Sequence, residues 1–299
     1  MMRVFVTGAG GRVARALHEA ADGMADVVVG HGARPRLDLT RPETVLPVME
    51  AFGPDVVVNA AAYTAVDQAE SEPELAYAIN RDGARAVAVA AARLGAPVIQ
   101  LSTDYVFDGA KAEPYVESDE THPLSVYGAS KLAAEWAVAD ANPRHVILRT
   151  AWVYAPYGGS FPRTVLRLAS EGAPLRVVDD QIGCPTYAPD IAEAILAIVR
   201  TWQARGWRDG DAGVTHLAGP DAVTWCALAR QVLAAAGMRG VSVEAITTAD
   251  YPTAAKRPAN SRLSTRRLAD HFAITLPGLD ASLRACVARL TAETMRLDA

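Results

Sequence analysis

The amino-acid sequence predicts an α/β fold, a doubly wound parallel sheet followed by a smaller C-terminal lobe. Two observations lead to this prediction. Through the first half of the chain, short and continuously apolar runs alternate with longer Ala-rich stretches, a pattern typical of strands buried on both faces beneath helices. A glycine-rich turn also joins the first apolar run to the first Ala-rich stretch, at the point where such folds bind ligands.

The elements of the first half follow from this alternation in chain order. Each predicted strand is a short run rich in Val, Ile or other apolar residues, and each predicted helix is a longer stretch between two such runs. The strands are expected at 3–6, 26–29, 55–59, 97–102 and 145–149, and the helices at 12–21, 42–52, 73–94 and 124–139.

The second half of the chain is less regular, because turn-rich segments interrupt its helical patterns. Helices are expected at 161–170, 190–203, 224–237 and 279–295. We therefore predict a sheet domain over residues 1–150 and a smaller lobe mainly over residues 151–299, with some later segments returning to the sheet domain.

The composition narrows the functional classes. Hydrophobic residues make up 51% of the 299 residues and charged residues 21%, a globular balance that excludes a disordered chain. The net charge of −5 gives no reason to expect nucleic acid or an anionic membrane as a partner. Cys184, Cys226 and Cys286 are far apart, so neither a disulfide framework nor a metal site is expected. With no secretory signal or membrane-length apolar run, we expect a cytoplasmic protein.

The glycine-rich turn has the spacing of a dinucleotide-binding loop. Gly8, Gly11 and Ala14 directly follow the first predicted strand. Gly8 allows the tight turn, Gly11 lets the backbone approach a pyrophosphate at the helix N-terminus, and Ala14 permits close helix–strand packing. A plain strand–helix turn is the alternative, but the position after the first strand favours a Rossmann-like domain that binds a dinucleotide.

The choice between NADPH and NADH stays open. The second predicted strand lacks the carboxylate that would bind the ribose 2′-hydroxyl of NADH. His31, Arg34 and Arg36 follow it and would accommodate a 2′-phosphate, or else they are solvated loop residues. Asp38 comes shortly afterwards and is expected near the adenine side of either cofactor.

Three residues form the predicted catalytic group. Tyr127 and Lys131 are four residues apart on a predicted helix, so they share one helix face. We expect the ammonium, with a bound nicotinamidium, to lower the pKa of the phenol and make it an acid–base group. Thr103 follows the fourth strand, at the sheet edge where ligands bind, and its hydroxyl would polarise a substrate carbonyl. Segment 59–64 ends the third strand at the same edge, with small residues that let a cofactor approach.

With these motifs, the sequence resembles the extended short-chain dehydrogenase/reductases, and among them the dTDP-4-dehydrorhamnose reductase family. The glycine loop, the hydroxyl residue and the Tyr-x-x-x-Lys pair carry the general resemblance. More specific matches extend over nearly the whole chain, at 59–67, 102–109, 127–132, 149–154, 179–186 and 257–263.

The resemblance implies roles for individual residues. Thr103, Tyr127 and Lys131 would be the catalytic residues. The cofactor would contact Gly8, Gly11, Arg12, Val13, Asp38, Leu39, Ala60, Ala62, Tyr63 and Asn80, together with Tyr127 and Lys131. Asn80 matches an asparagine that the family places behind the catalytic lysine. The sugar would contact Thr64, Val66, Asp104, Tyr105 and Trp152, and the nucleotide diphosphate would contact Gln181, Arg257 and Arg262. Trp152 is alternatively a core residue, and the two arginines are alternatively solvated.

The activity implied by the resemblance is NAD(P)H-dependent reduction of the C4 ketone of dTDP-4-dehydro-L-rhamnose to dTDP-L-rhamnose, by a monomer or homodimer. The chain departs from the family pattern at three places. Arg12 replaces a glutamine, Ser160 replaces an asparagine, and Ala134 replaces a glycine before Glu135. These departures leave the cofactor preference and the identity of the nucleotide-linked ketosugar open.

Two other readings compete with this one. A non-catalytic regulatory subunit of methionine adenosyltransferase shares the resemblance, but the intact Thr103, Tyr127 and Lys131 argue for an enzyme. A nucleotide-sugar epimerase or dehydratase is the second. A dehydratase carries an Asp-Glu pair beside the threonine, whereas Thr103 is followed by Asp104 and Tyr105, which favours simple carbonyl reduction.

Overall fold

A computed structural model describes residues 1–297, and the side chains of residues 1–292. Residues 298–299, the end of the predicted second domain, lie outside the described residues. The strands are β1 (Met2–Thr7), β2 (Val27–Gly32), β3 (Val56–Asn59), β4 (Val98–Thr103), β5 (His145–Thr150), β6 (Val153–Tyr154), β7 (Leu175–Val178), β8 (Ile182–Gly183), β9 (Thr186–Tyr187), β10 (Gly213–His216), β11 (Val223–Thr224) and β12 (Val243–Ile246). The helices are α1 (Arg12–Ala21), α2 (Val45–Phe52), α3 (Val66–Ala69), α4 (Pro73–Tyr77), α5 (Ala84–Arg93), α6 (Val126–Ala141), α7 (Phe161–Ser170), α8 (Ala188–Arg205), α9 (Trp225–Ala235), α10 (Arg266–Phe272) and α11 (Leu279–Leu297).

The central sheet has the strand order β10-β5-β4-β3-β1-β2, and its neighbouring strands are all parallel. This order reverses between β1 and β3, which places a ligand-binding crevice at their carboxyl ends. The predicted fold class is therefore confirmed. The sixth strand, β10, comes from the second half of the chain.

Helices cover both faces of the sheet. On one face, Leu17 of α1 packs with Ile191 and Ile195 of α8, and these side chains are completely buried. On the other face, Met49 of α2 and Val87 of α5 are buried in the same way. Each such side chain stabilises the fold by about 1.5–3 kcal/mol. Because α8 lies after residue 150, the sheet domain uses later parts of the chain.

The smaller lobe has its own core. Helices α7, α9 and α11 bury Val165, Leu228 and Leu283 against one another, and β7 pairs with β12 beside them. Two further short pairings occur after residue 150, β11 with β8 and β6 with β9. Among the described residues, no helix is both long and apolar enough to cross a membrane.

The structure departs from the predicted elements mainly where backbone hydrogen bonding changes. The helix expected at 73–94 is interrupted by a turn of π-helix, Ala78–Gly83, between α4 and α5. This insertion turns Asn80 inward, where it is buried, and such insertions often accompany functional sites. The short helices α3 and α10 were not predicted, and the helix expected at 42–52 begins with a 3-10 turn, Pro42–Thr44.

Candidate active site

A cleft of about 880 Å³ opens at the carboxyl edge of the sheet. It lies between the glycine loop, the ends of β3 and β4, the start of α6, and the smaller lobe. The structure brings sixteen of the predicted site residues to its walls. They are Gly8, Gly11, Arg12, Val13, Asp38, Leu39, Ala60, Ala62, Thr64, Val66, Thr103, Asp104, Tyr105, Tyr127, Lys131 and Trp152.

The glycine loop has the geometry that an approaching pyrophosphate needs. Gly8 has a φ of 75°, and a Cβ there would lie 2.9 Å from the Ala61 Cα atom. Gly11 caps α1 without any side-chain hydrogen bond to the first turn, which contains no acidic residue. The first N–H groups of α1 are therefore available to an anion, and the residues present fit the diphosphate of a dinucleotide.

Buried polar side chains join the strand ends beneath this loop. Thr7 donates a hydrogen bond to Asn59 Oδ1 at 2.5 Å, and Asn59 Nδ2 donates to Gln100 Oε1 at 2.7 Å. The Ala61 N–H donates to Thr7 Oγ1 at 3.2 Å. This network fixes the small residues after β3 against the glycine loop, because buried polar groups remain paired.

Thr103 ends β4 and presents its hydroxyl to the cleft. The Oγ1 atom accepts from the Tyr105 N–H at 3.2 Å and donates to Asp104 Oδ1 at 3.0 Å. Tyr127 lies in the first turn of α6, which Ser125 caps by accepting from the Gly128 N–H at 3.1 Å. Thr103 and Tyr127 both line the cleft, close enough for a hydrogen bond from Thr103 to act on the Tyr127 phenol.

The phenol of Tyr127 has a raised pKa in the protein without its cofactor. Burial raises its pKa to about 12, with a further rise from the Asp104 carboxyl and an opposing hydrogen bond from Thr103. The lowering of this pKa by Lys131 together with a bound nicotinamidium stays a prediction. The Lys131 ammonium donates to the Leu101 carbonyl oxygen at 2.6 Å. Burial lowers the pKa of Lys131 to about 8, and the Glu135 carboxylate opposes that shift.

A buried ion pair lies one helical turn after Lys131, close to the predicted catalytic residues. The Arg149 guanidinium donates to both carboxylate oxygens of Glu135, at 2.9 and 2.7 Å, and Ser102 donates to Glu135 Oε1 at 2.5 Å. The two charged side chains are only 5% and 3% exposed. Glu135 thus ties α6 to β4 and β5, one helical turn after Lys131, and fixes the helix that carries both Tyr127 and Lys131.

Two stacked tryptophans form the wall that the smaller lobe contributes. The rings of Trp152 and Trp225 are 3.6 Å apart with an interplanar angle of 5°, and Phe161 packs against Trp225. Trp152 has a φ of 46°, a left-handed conformation that costs free energy in a bulky residue. Gly183 contacts its indole so closely that a Cβ there would lie 2.3 Å from Cε2. This packing holds Trp152 in one orientation at the cleft.

We expect Gly183→Ala to displace the Trp152 indole, since the added methyl group has no space. The free energy of unfolding should fall by about 1–3 kcal/mol, as for other overpacked sites. The KM for a sugar substrate should rise more than kcat falls. Urea unfolding and steady-state kinetics measure both effects. Gly210→Ala is the matched control, because a Cβ there would lie an ordinary 3.8 Å from the nearest atom and Gly210 is outside the cleft lining. Equal effects in the two variants would contradict this packing argument.

The end of the cleft where the cofactor is expected contains both signs of charge. Arg34 and Asp38 line it, whereas His31 packs edge-on against His18 and Arg36 is an exposed residue outside the lining. Arg12 donates to the Gly159 carbonyl oxygen, so the arginine that replaces the family's glutamine links the glycine loop to the smaller lobe.

Other predicted residues lie outside the cleft lining. Tyr63 donates to Glu72 at 2.7 Å, and Asn80 bonds to the Tyr63 backbone and to Ser130 instead of Lys131. Gln181 is buried and donates to Thr248.

The predicted diphosphate arginines have protein partners. Arg257 donates to both carboxylate oxygens of Asp67, at 3.0 and 2.7 Å. Arg262 donates to Asn260 Oδ1 and to the Ala112 carbonyl oxygen. Neither is solvated as a lone surface arginine, and both connect the chain near residue 260 to other segments.

Sequence reasoning missed Trp225 and Glu135. An aromatic residue at the start of an amphipathic helix resembles a core residue, so Trp225 carried no distinguishing signal. Glu135 did carry a signal in the sequence. Tyr127, Lys131 and Glu135 are spaced four residues apart and therefore share a helix face. The partner of Glu135, on β5, is remote in sequence and was not predictable from that spacing.

Comparisons with known proteins agree with this site. The family model described as RmlD substrate binding domain matches residues 2–292. A dTDP-4-dehydrorhamnose reductase of Sinorhizobium fredii is 49% identical over 295 residues, which cover 98% of this chain and 99% of that protein.

Crystal structures of two dTDP-4-dehydrorhamnose reductases are also similar, each with 34% sequence identity. That from Clostridium acetobutylicum has a TM-score of 0.89 and covers 97% of this chain and 100% of its own. The structure from Bacillus anthracis, in complex with NADP, has a TM-score of 0.87 and covers 98% of this chain and 99% of its own. The chain therefore belongs to the RmlD family of dTDP-4-dehydrorhamnose reductases, as its sequence predicts.

Proposed function

We propose that this protein is an NAD(P)H-dependent oxidoreductase that reduces the C4 ketone of dTDP-4-dehydro-L-rhamnose to give dTDP-L-rhamnose. The relatives described above are named for this activity, and this chain is similar to them over nearly their whole length. One observation carries the proposal. Thr103, Tyr127 and Lys131 line the same cleft as a glycine loop whose helix N-terminus is available to an anion.

Each catalytic residue has a proposed task. The reduced nicotinamide supplies the hydride when bound. As the ketone oxygen gains negative charge, the Thr103 hydroxyl donates a hydrogen bond to it and Tyr127 transfers its proton. A phenol with a raised pKa is fully protonated at neutral pH, which is the state that reduction requires. Lys131 positions the cofactor and supplies positive charge beside the site.

The two parts of the fold have separate proposed roles. Residues 1–150, with the returning segments α8, β10 and α10, bind the dinucleotide. The rest of 151–299 binds most of the nucleotide sugar, with Trp152 as the apolar surface for the deoxyhexose. Gln181 and Arg257 remain proposed contacts of the nucleotide diphosphate, and Asn80 and Tyr63 remain proposed contributors to cofactor binding. For Arg257, this role requires release from Asp67.

The direct test supplies dTDP-4-dehydro-L-rhamnose to the purified protein with NADPH or NADH. We expect oxidation of the cofactor and one equivalent of dTDP-L-rhamnose. The corresponding UDP-linked ketosugar and a free 4-keto-6-deoxyhexose are the comparison substrates. Cofactor binding without oxidation of either cofactor would contradict the proposal and favour a binding protein. Faster turnover of another ketosugar would overturn the substrate assignment alone.

We expect NADPH to serve at least as well as NADH, because Arg34 lines the cofactor end of the cleft and a guanidinium suits a 2′-phosphate. Arg34→Ala should raise the KM for NADPH by about tenfold, equivalent to roughly 1.4 kcal/mol, and leave the KM for NADH nearly unchanged. Arg36→Ala is the matched control, since this exposed arginine lies outside the lining. A clear preference of the unaltered protein for NADH would reject this prediction and point to Asp38 as the ribose partner.

A further inference from the structure

The Thr103 hydroxyl has one proton but more than one potential hydrogen-bond acceptor. A hydroxyl donates one hydrogen bond and accepts two. Thr103 Oγ1 already accepts from the Tyr105 N–H and donates to Asp104 Oδ1, and hydrogen bonding from Thr103 lowers the pKa of Tyr127. The proton that should hold a substrate ketone is therefore directed at a carboxylate.

Asp104 is placed to control this proton. It is 2% exposed, it lines the cleft, and its Oδ1 atom lies 3.0 Å from Thr103 Oγ1. Burial raises the pKa of Asp104 to about 6, although the nearby Ser261 hydroxyl and the Thr103 hydrogen bond lower it. A proton bound at Oδ1 would reverse the direction of the hydrogen bond with Thr103 without moving either oxygen atom.

The two protonation states of Asp104 give opposite hydrogen-bond directions. When Asp104 is ionised, Thr103 donates to it, so the Thr103 proton is available neither to a ketone in the cleft nor to the Tyr127 phenol. When Asp104 is protonated at Oδ1 and donates to Thr103, the Thr103 proton is free for the ketone oxygen.

We propose that Asp104 is a positioning residue that sets the direction of the Thr103 hydrogen bond, so that ketone reduction requires its protonated form. This inference rests on the proposed function, since it concerns the same ketone. It assigns Asp104 a task beyond contact with the sugar.

Other titratable groups near Asp104 act at different pH values. Its charge couples to Tyr105 and Tyr127, whose pKa values are raised by burial, and to the Cys184 thiol, whose pKa is also raised. The largest influences on Asp104 are burial and hydrogen bonds from Ser261 and Thr103. Lys131, with a pKa of about 8, titrates separately. The reduction rate should thus fall in two steps as pH rises, of which the lower belongs to Asp104.

The test measures single-turnover reduction from about pH 5 to 9 in the wild type, Asp104→Asn and Ser261→Ala. Above the lower midpoint, the wild-type rate should fall about tenfold for each pH unit, as for one ionising group. In Asp104→Asn, the neutral amide should remove this step and retain the step from Lys131. Ser261→Ala removes a hydrogen bond that favours the carboxylate, so the midpoint should move to higher pH.

Two results would overturn the inference: an unchanged lower step in Asp104→Asn, or a rate in that variant that is low at every pH. The second would mean that the sugar needs the carboxylate as a hydrogen-bond acceptor. If the wild type reduces no ketosugar at any pH, the proposed function fails instead. A ¹³C NMR titration of the Asp104 carboxyl then still tests the local claim, because its midpoint must be higher in Ser261→Ala than in the wild type.

Discussion

Tyr127→Phe should retain the fold and bind cofactor, but lose most of its turnover. The change removes one oxygen atom, and with it the proton that the reduced ketone oxygen receives. A positioned general acid contributes about 10²–10⁴-fold to a rate, so kcat should fall by that factor. The ring also packs edge-on against Tyr105, with centroids 5.9 Å apart, and phenylalanine preserves that contact. Steady-state kinetics with dTDP-4-dehydro-L-rhamnose, together with NADPH titration, measures both parts of the prediction.

Tyr115→Phe is the matched control for this variant. Its phenol donates to Asp108 at 2.8 Å and lies outside the cleft lining, so the same deletion removes a hydrogen bond without touching the site. We expect its kcat to remain near that of the wild type. Near-normal kcat in Tyr127→Phe would remove Tyr127 from the mechanism.

Glu135→Gln should reduce the free energy of unfolding by about 3–5 kcal/mol, the cost of leaving one buried charge without its partner. The Arg149 guanidinium would keep its position but lose the carboxylate that accepts two of its hydrogen bonds. The pKa of Lys131 should fall further, because the Glu135 charge that raises it is removed. Urea unfolding measures the first effect, and the pH dependence of kcat above neutrality measures the second.

The double variant Glu135→Gln/Arg149→Met separates charge from packing. It removes both charges and leaves a side chain of similar volume in place of the guanidinium, so most of the lost stability should return. If the double variant is as unstable as the single one, the ion pair is not what Glu135 contributes. A single variant as stable as the wild type would show that the buried pair contributes little to folding.

The local parts of this fold were predictable from the sequence. The helices at 12–21 and 161–170 have the predicted bounds, because their amphipathic periodicity is read within one segment. The strands of the first half were found within a few residues for the same reason. The π-helical turn at Ala78–Gly83 was not found, since it depends on Asn80 bonding to the backbone of Tyr63 and to Ser130, which are distant in sequence.

The chemistry of the site was predictable only in part. Motif spacing placed Thr103, Tyr127 and Lys131 on one cleft. Their pKa values depend on burial, which spacing does not reveal, and burial raises the pKa of Tyr127 in the protein without cofactor. Contacts between remote segments were equally hidden. Arg257 faces Asp67 across nearly two hundred residues of chain, and Trp225 stacks on Trp152 only once the smaller lobe has folded.

The most direct test of the whole account follows a labelled hydride. The protein is incubated with dTDP-4-dehydro-L-rhamnose and NADPH that carries deuterium at the transferable position of the nicotinamide C4, and the product is examined by NMR. We expect one deuterium at C4 of the sugar in dTDP-L-rhamnose. In Tyr127→Phe, this product should form at least about a hundredfold more slowly than in the wild type. Product without deuterium at C4, or cofactor oxidation with the ketone unchanged, would contradict hydride transfer to this carbon.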